Sequence, residues 1–130
     1  MLNRYFVSLG LCAALLFCAG CRSASSEASQ TEVDLTIDPS PPLVGDADVS
    51  LTLSDVGGAA LAGADVRLEG NMNHAGMKPS FAELREIEPG RYVGTLEFTM
   101  GGDWFILMTA KTPDGKTVQR KIDVLGVKSP

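Results

Sequence analysis

Ala47-Asp48-Val49-Ser50-Leu51-Thr52-Leu53-Ser54 alternates apolar and polar side chains without a break. In a strand, successive side chains point to opposite faces, so this stretch has one face fit for a core and one fit for water. A helix would scatter the same residues around its axis. The period of two recurs on both sides. Val33, Leu35 and Ile37 alternate with Asp34 and Thr36, and Ala64, Val66 and Leu68 with Asp65, Arg67 and Glu69. Tyr92, Leu96 and Phe98 share a phase with Gly94 between them, and Val118, Ile122 and Val124 close the series. Trp104 to Met108 is a continuous apolar run, the pattern expected of a strand buried on both faces. Phe81 to Ile87 reads either as a strand or as a short helical turn.

Turn residues separate these runs. Asp38-Pro39-Ser40-Pro41-Pro42 ends the first, and Gly57-Gly58 with Gly63 interrupts the next interval. Glu88-Pro89-Gly90-Arg91 places proline and glycine where a type II turn needs them, and Thr112-Pro113-Asp114-Gly115 does similar work later. Six or seven short strands in ~95 residues predict an all-β fold, an antiparallel immunoglobulin-like β-sandwich of about seven strands over residues 33–127. That length supports one hydrophobic core and not two.

Ahead of this domain the chain reads as an export signal. Arg4 supplies a positive n-region, and Phe6 to Phe17 is an apolar run broken only by Ser8, Gly10 and Cys12. The run is shorter than the ~20 residues a membrane-spanning helix needs. Cys18-Ala19-Gly20-Cys21 resembles the lipobox of bacterial lipoproteins, with Cys18 where leucine is usual. The expectation is a signal peptide over 1–20, lipid on Cys21, and a polar tether over 21–32. The competing readings are an ordinary signal peptide or an uncleaved anchor. The chain is then extracytoplasmic, held at a membrane by its lipid, in the periplasm or at the cell surface. Cys12 and Cys18 would leave with the signal, so the domain has neither a disulfide nor a thiol ligand.

Loss of Arg4 leaves ten basic residues against sixteen acidic ones, a net charge near −6. No basic stripe is present, so nucleic acid and anionic lipid surfaces are poor partners.

One segment carries chemistry: Gly70-Asn71-Met72-Asn73-His74-Ala75-Gly76-Met77-Lys78-Pro79. It holds the single histidine and two of the four methionines beyond Met1. Methionine is usually core filler, but these two stand among Asn, Gly, Lys and Pro in a segment expected to be exposed. Thioether sulfur is soft and needs no deprotonation, which favours Cu(I) over hard cations, and a neutral imidazole is a good third ligand. In an extended segment Met72 and His74 point the same way, and Ala75-Gly76 can turn Met77 back toward them. Alternate connections of an antiparallel sandwich share one end, which brings Met100-Gly101-Gly102-Asp103 beside this loop. Met100 is therefore a candidate fourth ligand, and the Trp104 ring a shield or cation–π partner near the metal. A surface loop without ligand, and core roles for Met100 and Trp104, are the competing readings. Met108, in mid-strand, reads as core.

Residues 31 to 126 resemble the YtkA-like/FixH-like domains of exported bacterial proteins. The resemblance lies in Ala62-Gly63-Ala64-Asp65-Val66, Met72-Asn73-His74-Ala75-Gly76-Met77-Lys78-Pro79, Pro89-Gly90-Arg91-Tyr92 and Phe98-Thr99-Met100-Gly101-Gly102-Asp103-Trp104. It implies an immunoglobulin-like sandwich and a link to copper supply for respiratory oxidases or to copper tolerance. Carried over by position, the ligands are Met72, His74, Met77 and Met100. FixH-like proteins have a transmembrane anchor, whereas this chain reads as lipid-anchored.

The expected function is thus a Cu(I) carrier that hands its ion to a respiratory oxidase or a copper transport protein. The alternative is a non-catalytic interaction module of a membrane complex. An enzyme is the poorest fit, because one histidine without a matched acid or base, and no nucleophile-elbow spacing, leaves little for catalysis.

Overall fold

A computed structural model describes residues 30–130 as seven strands without a helix. They are β1 (Thr31–Asp38), β2 (Gly45–Asp55), β3 (Asp65–Asn71), β4 (Ser80–Glu88), β5 (Arg91–Phe98), β6 (Gly102–Lys111) and β7 (Thr117–Val127). The expected signal peptide, Cys21 and most of the tether lie outside the described residues.

Hydrogen bonding runs in the order β1-β2-β5-β4-β3-β6-β7, with every neighbouring pair antiparallel. The turn lies in β4. Its first half pairs with β3, through Ser80 to Leu84, and its second half with β5, from Arg85 onward. By changing partners β4 folds one continuous ribbon into the two layers of an immunoglobulin-like sandwich. The ambiguous stretch Phe81 to Ile87 is therefore strand. Its weak alternation has a physical cause, since past Leu84 every β4 residue is exposed. Gly94 lies where this crossing is tight: a Cβ there would meet Leu84 Cδ2 at 2.5 Å.

The outer edges, β1 and β7, run parallel and are tied at both ends. Val44 N–H donates to Lys128 O and Lys128 N–H to Pro42 O, each at 2.9 Å, while Arg120 Nη2 donates to Thr31 O at 2.8 Å.

Inside, the alternation read from the sequence becomes burial. Val49, Leu51, Leu53, Val66, Leu68, Tyr92, Leu96, Phe98, Ile106 and Met108 form the core, and β1 contributes half-buried Val33, Leu35 and Ile37. The inward apolar faces of the strands cover one another and make one core. No buried side-chain nitrogen or oxygen among the described residues lacks a hydrogen bond. One expectation fails. β6 is not buried on both faces: Trp104, Ile106 and Met108 point inward, but Phe105 is half-buried and Leu107 is 39% exposed. The Lys121 ammonium lies over the Phe105 ring, 4.8 Å from its centre, but no described strand packs on that outer face, so the continuous apolar run is not matched by two-sided packing.

The domain has two poles. Connections β2–β3, β4–β5 and β6–β7 meet at one, where Tyr92 is fully buried. Its hydroxyl donates to Leu61 O at 2.7 Å and accepts from Ala64 N–H at 3.0 Å. Beside it, Glu86 accepts backbone N–H bonds from Gly63 at 3.0 Å and Gly90 at 3.2 Å. These bonds favour the carboxylate, the Gly63 one most, and hold the Glu86 pKa below its ordinary value. The stabilisation is therefore complete above the ordinary glutamate pKa and disappears as pH falls through the lowered one. Glu86→Gln is expected to melt lower than the parent near neutral pH. The gap should close in acid as the parent protonates, in thermal melts recorded between neutral and acidic pH.

Candidate metal centre

At the other pole lie the β3–β4 loop, residues 72–79, and the β5–β6 turn, residues 99–101. Register fixes their neighbourhood, because Asn71 at the end of β3 is opposite Phe105 near the start of β6. The two segments touch: a Cβ on Gly102 would lie 3.0 Å from Met72 Cε. The expected meeting of loop and turn at one end is thus what the chain adopts.

The sulfur and nitrogen groups differ in environment. Met72 is not exposed, as the polar composition of its segment suggested, but 8% exposed and part of the core. It directly follows β3 and continues the inward phase of Leu68 and Gly70. His74 is exposed, so the two-residue spacing does not give it the environment of Met72; the backbone bends at Asn73 between them. Gly76 takes φ +82°, which a residue with a Cβ rarely adopts, and Met77 N–H closes toward His74 O at 3.5 Å. That turn brings Met77 back to pack, half-buried, against the core.

Met100 is 47% exposed and does not continue the inward phase of Leu96 and Phe98, so its competing core reading is set aside. Trp104, by contrast, is core: it is 2% exposed and meets Phe98 edge-on, with ring centroids 5.2 Å apart. Its indole N–H donates to Met100 O at 2.9 Å, which holds the turn carrying the Met100 side chain. Met108 is core as expected, at 1% exposure.

Sequence reasoning missed the base of this pole. A Cβ on Gly101 would stand 2.8 Å from Ser129 Oγ and 3.1 Å from Val127 O, and Asp103 accepts the Gly126 N–H at 2.9 Å. The C-terminal segment thus props the turn from below. The adjacent pair Gly101-Gly102 was the available signal, since paired glycines mark close backbone approach.

Among the described residues no group of three or more His, Cys, Asp or Glu side chains could hold a metal ion. The loop and turn at this pole carry three thioethers and one imidazole, residue types that suit a soft monovalent ion better than a hard divalent one. The sequence matches the YtkA-like description over residues 25–109. The chain belongs to the YtkA-like family. In this YtkA-like domain the match takes in β1 to β5, the methionine–histidine loop and most of β6. No curated protein matches the chain. No solved structure matches it either.

Proposed function

We propose that this YtkA-like protein is a Cu(I) carrier working outside the cytoplasm, lipid-anchored at Cys21, without catalytic activity of its own. The observation that supports it most is the convergence at one pole of Met72, His74, Met77 and the Met100 turn. Copper is the cargo in this reading. Met72, packed against the core, supplies a fixed sulfur, and the Gly76 turn lets His74 and Met77 close over the ion. Met100 offers a further thioether from the adjacent hairpin. A site without thiolate binds less tightly than a cysteine cluster and releases its ion more readily, which suits delivery to an oxidase assembly or copper transport protein. Thioethers also persist in an oxidising compartment where free thiols do not.

The test is anaerobic titration of residues 22–130 with Cu(I) against a coloured chelator, beside the Met72→Ala/His74→Ala/Met77→Ala variant. One copper per chain is expected, with stoichiometric binding lost in the variant. Failure of the parent to compete with the chelator would sink the carrier reading and favour an interaction module.

A further inference from the structure

We infer that the outer face of β4-β3-β6-β7 joins two copies of this chain. This face carries apolar groups left open to solvent: Phe81 is 70% exposed and Leu107 39%, while Phe105 is half-buried with the Lys121 ammonium 4.8 Å from its ring centre. A shallow groove of about 700 Å³ runs across it, lined in part by Phe81, Glu69, Leu107 and Lys121.

The register of the strands decides the occupant. Phe81, Glu69, Leu107 and Lys121 stand opposite one another on β4, β3, β6 and β7, in one row across the face. With β6 as the axis of a two-fold, Leu107 meets Leu107 of the second copy and Phe105 meets Phe105. β3 then lies over β7 of the other copy, which sets Glu69 against Lys121 twice, once on each side of the axis. One row further along β3 and β7, Arg67 meets Gln119; two rows along, Lys111 falls on the axis opposite Lys111 of the second copy, each beside Asp65 of its own sheet. Phe81 falls beyond Lys121 and covers the outer edge of β7. Isologous interfaces need this self-complementarity, and sheets packed face to face stand ~10 Å apart, a gap that leucine and phenylalanine side chains fill.

The opposite face could not serve. There Asp38 stands directly across from Asp48, and Asp46 from Glu97, with Glu32 and Asp34 on the same side. Two such surfaces would repel each other. The acidic face therefore points away from the two-fold, toward solvent. The pairing makes no use of copper and stands apart from the carrier reading.

Sedimentation equilibrium of residues 22–130 is the deciding experiment. The parent should behave as a dimer. Leu107→Glu should raise its dissociation constant roughly tenfold or more while leaving the melting temperature close to that of the parent. Glu69→Lys and Lys121→Glu should each weaken the dimer, and the two together should restore it. A parent that stays monomeric at every concentration would overturn the proposal. So would Leu107→Glu pairing as tightly as the parent, or a double exchange no tighter than either single one.

Discussion

Trp104→Ala is expected to lower the unfolding free energy by about 3–5 kcal/mol, the range for removing a buried aromatic ring. For a domain of this size the melting temperature should fall by roughly 12–20 °C. The ring is 2% exposed, meets Phe98 edge-on and packs on Gly70, where a Cβ would lie 3.5 Å from its Cε3. Alanine would leave a cavity between β3, β5 and β6 that a closed sandwich cannot collapse to fill. It would also take the N–H donor from Met100 O. Trp104→Phe separates the two losses: it keeps an aromatic ring in place and forfeits the hydrogen bond, at about 1 kcal/mol. Urea denaturation of the three proteins makes the comparison. A Trp104→Ala variant within about 1 kcal/mol of the parent, an ordinary surface effect, would contradict the packing of this pole.

The second large effect is expected at the other pole. Gly90 takes φ +79°, and a Cβ there would stand 2.8 Å from Leu53 O and 2.9 Å from Ala60 Cβ. Its own carbonyl accepts the Leu53 N–H at 2.8 Å, so the turn cannot swing away without breaking a bond. Gly90→Ala therefore adds backbone strain to a clash, together about 2–5 kcal/mol. Gly115 is the control: φ is +86°, with nothing within 4 Å of a Cβ. Gly115→Ala should cost only the left-handed strain, about 1–2 kcal/mol. Equal losses at the two glycines would mean that crowding by Leu53 and Ala60 contributes nothing.

These two positions show what the sequence could and could not reveal. The Pro89-Gly90 turn was legible because positive φ has a residue signature, and the strands because burial on one face imposes a period of two. What covers a strand's other face has no such signature. Trp104 to Met108 looked doubly buried because Phe105 and Leu107 are apolar, yet they face outward. In β4 the alternation fades after Leu84, where the strand changes partners and its core-facing side ends. At the methionine pole, the shared end of loop and turn followed from antiparallel direction alone. The depth of each sulfur did not. Met72 is buried because it prolongs β3 by one inward position, and Met100 is exposed because the chain turns immediately before Gly101 and Gly102. Neither distinction is written in residue type.

The chain enters the domain at the pole opposite the sulfur groups, where Thr31 pairs with Asp55. Fully extended, residues 22–30 span at most ~30 Å, and a strand as long as β2 adds ~35 Å before the Met100 turn. With Cys21 held in a bilayer as proposed, the thioethers would sweep a hemisphere of roughly 65 Å radius, and one site in that volume corresponds to an effective concentration on the order of a few millimolar. A recipient rooted in the same membrane would then need no tight docking surface for the ion. Weak, brief collisions would occur often enough, and the reach of the anchored domain would take the place of affinity.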